Sequence, residues 1–433
     1  MRPARTRRGA SPHQGPITTK RSYAQNRLIS DLKKRDSNQG KSTGMRNVVA
    51  LGFVSFFTDF STEMILGILP LFIVTNLGAT KEILGGIEGS AELVSYAFRM
   101  VSGALSDKLR KRKIFVLVGY GLSTISKPFF AISTGWFDAF LVRAGDRIGK
   151  GLRTAPRDAL IADSIPESVS GKAFGIHRTI DQMGAIVGPV AAFALLQVID
   201  IHGVFIVSLI PGAIAVIILI FVVKEVAIKR LSNIKSTMLA NVGNVLKANR
   251  PFAVLLIISG IFSLGAFNYS FILLRASELG VDKNIIPLVY AVINVSHTVI
   301  GIPSGLLADR IGKEKVLIIG FAVFVVSAVL MVLFIGNSLY AYILAAVFGV
   351  YVGISETLQR AVIPRYISSE LRGTAYGIYN VIIGTGFFAS NVMFGFLWDR
   401  YSLNIAVLYS AVLALTAIIG MVIFVTKFPA SKV

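Results

Sequence analysis

A succession of apolar blocks, each about 20 residues long and separated by short polar loops, constrains this chain more than any other feature. That length spans the hydrocarbon core of a bilayer as an α-helix. The blocks fall near 47–76, 84–106, 114–134, 137–162, 171–198, 203–223, 252–279, 284–308, 315–335, 338–364, 372–397 and 404–426. They predict an all-α integral membrane protein of twelve transmembrane helices. Composition agrees, with 54% of residues hydrophobic and only 15% charged, against about 25% charged in an ordinary soluble domain. The chain has no cysteine and four histidines, none at metal-binding spacing, so neither a metal site nor a cofactor is expected.

The location of the charge says more than its sum of +21. Residues 1–46 hold twelve Lys and Arg against Asp31 and Asp36 and few large apolar residues. This segment reads as a disordered, basic cytoplasmic tail close to anionic lipid. A transit peptide and a nucleic-acid arm are the other readings of such a composition, but no nucleic-acid partner is expected. Residues 224–251 form the one long polar stretch between spans, a cytoplasmic linker that divides the helices six and six. The expected domains are therefore bundles at 47–223 and 252–426, with a cytoplasmic tail at 427–433. Lys and Arg crowd the tail, the 108–113 loop, the linker, the 310–315 loop and Arg365. The opposite loops hold little beyond Lys81, Lys283 and Arg400. The positive-inside rule then puts both termini in the cytoplasm of a cell whose plasma or inner membrane the chain crosses.

The halves repeat. GALSDKLRKRK at 103–113 aligns with GLLADRIGKEK at 305–315, and GKAFGIHR at 171–178 with GTAYGIYN at 373–380, both at an offset of 202 residues. A shared offset indicates a duplicated six-helix unit, an architecture of transporters. On these residues the chain resembles the major facilitator superfamily. The family's loop signature is matched by Gly305, Asp309, Arg310, Gly312 and Lys313, and in the first half by Gly103, Asp107, Lys108, Lys111 and Arg112. Arg110 replaces the glycine there, which weakens the expectation of a tight turn. Glycine lets helices approach closely, and the Asp can pair with a cation or cap a neighbouring helix. The resemblance implies a gate that latches and releases at these loops. The family's antiporter signature in span 5 is matched by Gly175, Gly184, Gly188 and Pro189, with Ala192 and Phe193 where two glycines are usual. It implies exchange of a solute for protons. The stretch at 146–166 resembles a prokaryotic subgroup whose substrates are mostly unassigned.

Ionisable groups at membrane depth are costly and mark function by default. Span 1 carries Asp59 and Glu63, span 2 Glu88, Glu92 and Arg99, and span 4 a stripe of Arg143, Asp146, Arg147 and Lys150 at helical spacing. Span 5 carries His177, Arg178 and Asp181. The second half has only Arg275, Glu278, His297, Glu356 and Arg360. The expected proton-coupling and substrate residues are therefore Asp59, Glu63, Glu88, Glu92, Arg143, Asp146, Arg147, His177, Arg178, Asp181 and Glu356, with Asp59, Glu63 and Asp181 facing Arg143, Arg147 and Arg178. Phe56, Phe57, Phe60, Phe267, Tyr269 and Phe271 lie on spans that line the cavity in the family. No phosphate loop, nucleophile elbow or metal cluster points to an enzyme. The expected function is proton-coupled efflux of a small organic solute by a monomer. The alternatives are an importer or uniporter of a metabolite, and a non-transporting receptor on the same scaffold.

Overall fold

The computed structural model describes residues 44–166, 169–226, 249–333, 337–367 and 371–428. Most of the basic tail, of the central linker and of the C-terminal tail lies outside these residues. Within them the secondary structure is helical throughout. The helical segments are α1 (Gly44–Asn76), α2 (Lys81–Leu109), α3 (Arg112–Ile132), α4 (Trp136–Ser164), α5 (Ser170–Leu195), α6 (Ile201–Phe221), α7 (Arg250–Glu278), α8 (Ile286–Ile311), α9 (Lys313–Leu333), α10 (Tyr340–Arg365), α11 (Arg372–Arg400) and α12 (Leu403–Lys427). Each apolar block coincides with one of them to within three residues. Among the described residues nine are long and apolar enough to cross a membrane; α2, α4 and α5 are long enough but too charged to qualify by composition. Outward-facing side chains such as Val198, Phe221, Ile302 and Leu306 are apolar and well exposed, as a lipid-facing surface requires.

The first helix begins at Gly44, three residues before the expected start, where the Asn47 carboxamide donates to Ser164 and to the Lys224 carbonyl and accepts from the Lys224 amide. Glu225, in the expected linker, accepts from the amides of Arg112 and Lys113 and so caps the N-terminus of α3. Asp107 does not cap that helix; it pairs with Arg112.

Several helices are interrupted. In α7 the helix stops at Gly265 and restarts at Tyr269. The Asn391 carboxamide of α11 accepts from the Asn268 amide, and Asn268 caps the restarted helix by accepting from Ser270. Broken helices are tolerated at membrane depth only where protein or a cavity covers them.

The 202-residue offset holds in three dimensions. Gly103 approaches Ala155, and its counterpart Gly305 approaches Thr357, the counterpart of Ala155. Gly151 fits against Ser95 and Phe98, and Gly353 against their counterparts His297 and Ile300. Both loops turn through a residue at positive φ, although the conformations differ: Gly312 has φ of +102° and ψ of 141°, whereas Arg110 sits in the left-handed helical region at φ +53° and ψ 31°. The missing glycine has not removed the turn; an arginine pays the conformational cost of keeping it. The most specific correspondence is an ion pair. Arg112 Nη1 meets Asp163 at 2.8 Å, while at the equivalent positions Arg365 Nη1 meets Glu314 at 2.8 Å. The bridge is conserved between the halves with its charges reversed. Arg112 and Glu314 are both nearly inaccessible, where removing one partner costs about 3–5 kcal/mol. We expect Arg112→Glu to lower thermal stability in detergent strongly, and adding Asp163→Arg to restore most of it, since this double variant reproduces the second half's arrangement. Thermal melts followed by size-exclusion chromatography check this.

Candidate functional site

A cavity of about 350 Å³ lies between the helices of the two repeats, within the size range of sites for small organic molecules. Its walls differ. The first-half wall is charged and includes Asp59, Glu63, Glu92, Arg99, Arg147, Lys150, Arg178 and Asp181. The second-half wall is largely aromatic, with Phe262, Phe267, Tyr269, Tyr290, Phe348, Tyr351 and Phe387. Of the aromatics expected there, Phe267 and Tyr269 line the cavity. Phe271 is instead fully buried against Phe394 and Trp398, and Phe56, Phe57 and Phe60 pack among themselves outside the lining.

One end of the cavity is closed by glycine-mediated contact between α2 and α11. A Cβ at Gly395 would collide with the Lys81 carbonyl, one at Gly85 with the Asn391 carbonyl, and one at Gly89 with Phe388. Gly67 likewise fits against Pro287 of α8. Charges reinforce this end. Asp399 accepts from the Glu82 amide at the start of α2 and pairs with Lys81 at 3.6 Å; Lys81 also reaches Glu278 at 3.8 Å and lies over the Trp398 ring. Toward the opposite end, Arg178 of α5 meets Glu356 of α10 at 3.3 Å, and both side chains are more than half exposed. The cavity opens on that side.

The intramembrane charges divide into two groups. Beneath the cavity wall, Arg143 donates to Glu88 at 2.6 Å and pairs with Asp146 at 3.5 Å. Arg147 pairs with Asp146 and with Glu92. Asp146 accepts from Ser123 at 2.5 Å. Lys127, which sequence reasoning missed, is buried nearby and donates to Thr62. Glu88 and Arg143 thus cross-link α2 and α4, Asp146 ties α4 to Ser123 of α3, and none of the three lines the cavity. His177 is also outside the lining; with Arg157 and Tyr120 it surrounds the Ser55 hydroxyl.

The second group faces the cavity. Glu63 accepts from the Tyr290 hydroxyl at 2.6 Å and from Asn294 at 3.3 Å, both on α8. Asn294 also donates to the Ala185 carbonyl of α5. Asp59 and Asp181 share the cavity wall, and Asp181 pairs with Arg178 at 3.5 Å. Arg178 and His297 share Glu356. The expected facing of Asp59 and Glu63 toward Arg143 and Arg147 does not occur, because those arginines are taken by Glu88, Glu92 and Asp146. Tyr290, Asn294 and His297 supply the second-half partners; the first two are neutral and gave no charge signal in the sequence.

The motif residues serve close packing. Gly184 and Gly188 of α5 lie against the Phe56 and Phe60 carbonyls of α1, and a Cβ at Gly188 would also meet the Glu63 side chain. Pro189 is buried within α5, whereas Gly175 faces open space. Lys108, Lys111, Asp309 and Arg310 are exposed at the loops, and Lys313 donates to the Ala361 carbonyl of α10.

The sequence profile of the Major Facilitator Superfamily matches residues 51–293 and 255–433. An uncharacterized MFS-type transporter of Methanocaldococcus jannaschii is 34% identical over 397 residues, covering 90% of this chain and 97% of the relative. The quinolone resistance protein NorA of Staphylococcus aureus is 27% identical over 144 residues, 33% of this chain and 37% of that protein. Among solved structures, the nucleoside transporter NupG superposes with a TM-score of 0.75 at 14% identity over 88% of this chain and all of that one. A POT family transporter in complex with 5-aminolevulinic acid gives 0.72 at 14% identity, covering 89% of this chain and 96% of that one.

The two charge groups should respond differently to neutralisation. Glu88→Gln leaves a buried guanidinium with half its compensation and should cost several kcal/mol, about 3–5. Glu356→Gln, which breaks a half-exposed pair, should cost less than about 1 kcal/mol. Melting temperatures of the two purified variants decide this.

Proposed function

The chain belongs to the major facilitator superfamily, and on that premise we propose that it is a proton-coupled secondary transporter that expels a small organic solute. It would do so by alternating access of two six-helix bundles, twelve spans in all, in the cell membrane with both termini cytoplasmic. α2, α4 and α5 complete the twelve spans because their charges point inward to partners and the cavity rather than to lipid. In this orientation the closed end is extracellular and the cavity opens to the cytoplasm.

The observation that carries proton coupling is the presence of two carboxyl groups, Asp59 and Asp181, in one cavity wall with a salt bridge to only one of them. Two acids in one low-dielectric wall resist double ionisation, so such a pair is suited to holding a proton. Arg178 lies beside the pair and would stabilise the doubly ionised form. Arg178 also contacts Glu356 across the open end, so movement of α10 away from α5 would leave Arg178 to Asp181 and favour proton release. Glu63 is held to Tyr290 and Asn294 of the opposite half in this state. That contact must break when the bundles rock, which links a second carboxylate to the same motion. The direction of transport is supported by the G-P signature on α5 and by partial similarity to a resistance protein. Import of a metabolite is the second reading.

Proteoliposomes loaded with a pH-sensitive dye test coupling. A panel of quinolones, nucleosides and short peptides should contain a solute that drives counter-directed proton movement. Asp59→Asn and Asp181→Asn should each reduce that movement at least tenfold. Proton movement in the same direction as the solute would establish import, and full coupling in both variants would sink the role of this pair.

The closed end offers an independent check. The chain has no native cysteine, so Leu66→Cys, in the cavity wall, is a unique thiol. Lys81→Ala removes both inter-repeat ion pairs at the closed end and should accelerate alkylation of that thiol by a membrane-impermeant maleimide severalfold.

A further inference from the structure

The cavity holds more anions than cations, yet one of its cations is left without a partner. Among the described residues four of the five cavity carboxylates are engaged. Glu63 accepts from Tyr290 and Asn294, Glu92 pairs with Arg147, Asp181 with Arg178, and Glu356 with Arg178 and His297. Lys150 lines the same cavity and makes no ion pair or side-chain hydrogen bond with any described residue. Glu92 and Asp59 act on it only at longer range, and Arg147 and Arg153 add positive charge around it. Arg99, also in the lining, lies near the Tyr96 ring. An ammonium without a counter-ion at membrane depth is costly, and an anion delivered from solution would relieve that cost through a charge-assisted hydrogen bond. Facing this basic wall are rings of the second half, Phe348, Tyr351 and Phe387 among them. They offer flat apolar surface to a body attached to that anion.

We propose that the cargo is an organic acid with an aromatic or bulky apolar body, its anionic group held by Lys150 between Arg99 and Arg147. This rests on the transporter reading, since it assigns a substrate class to the same cavity. The acid would enter from the open end. Lys150 is the specificity-determining residue, while Arg147, already paired with Glu92 and Asp146, contributes field rather than contact.

The test uses two probes of equal shape and opposite charge, 2-naphthoate and 2-naphthylmethylammonium. Their binding to the purified full-length protein in dodecyl maltoside micelles is measured by equilibrium dialysis, with protein-free micelles as the blank. Naphthoate should bind saturably and at least tenfold more tightly than the amine. Lys150→Gln should weaken naphthoate at least tenfold and leave the amine unchanged or stronger. Lys150→Arg should retain the preference, and Lys172→Gln, at an exposed position, should change nothing. The wild-type preference is decisive even if a variant fails to fold. Tighter binding of the amine, equal binding of both, or no saturable binding of either overturns the proposal, as does a folded Lys150→Gln protein with undiminished affinity. Naphthoate binding without solute-linked proton movement would defeat the coupling reading and leave this one standing.

Discussion

An ionised side chain inside a bilayer is costly unless it finds a partner, and this cost organises most of the molecule. Water is absent, an uncompensated charge costs several kcal/mol, and a pair is favourable only when its geometry is good. The first repeat concentrates its charge on α1, α2, α4 and α5. That charge is tolerable because Arg143 and Arg147 are locked between Glu88, Glu92 and Asp146. The network fixes α4 against α2 and leaves the cavity-facing groups as the mobile remainder. The least apolar helices are therefore the best cross-linked ones.

The same requirement explains why the repeat survives divergence. Arg112–Asp163 and Glu314–Arg365 occupy equivalent positions with reversed sign. The structure needs a charge pair there, and either polarity meets the need. A change at the buried position alone would strand a charge or set like charges together. The loop glycine shows the complementary case. Arg110 meets the need for a positive φ with a left-handed helical conformation, whereas Gly312 uses one with an extended ψ in the other half, a change that one residue can absorb alone at modest strain.

Helix positions were legible in the sequence because bilayer thickness imposes one length on every span. Glycine motifs were legible as contacts, and Gly184 and Gly188 do abut α1. Partnerships were not legible. Which acid meets which base depends on the rotation of each helix about its axis, and periodicity along one helix carries no information about its neighbour's phase. Hence Asp59 and Glu63 were expected to face Arg143 and Arg147, whereas Glu63 reaches Tyr290 and Asn294 across the repeat boundary. Lys127 escaped notice as a lone charge in an apolar run, and Tyr290 and Asn294 because they are neutral. Phe56, Phe57, Phe60 and Phe271 were placed in the cavity wall by helix membership alone, which cannot say which side of the helix faces inward.

The two ends of the cavity differ in the kind of interaction that joins the repeats, and that difference bears on movement. At the closed end the contacts are backbone to backbone, made possible by Gly85, Gly89 and Gly395. Such surfaces fit or they separate, since close-packed interfaces do not deform gradually. Toward the open end the described residues join through side chains, the half-exposed Arg178–Glu356 ion pair and a Thr298–Gln182 contact at 3.4 Å, both weak and easily exchanged for water. A rigid seam at one end and a loose tether at the other bias this conformation toward opening at the tether. Reversal requires a stronger tether or a weaker seam. The groups able to change charge state or partner lie between the two, at Asp59, Glu63 and Asp181, where a proton or a bound anion alters the balance without touching the structural network beneath.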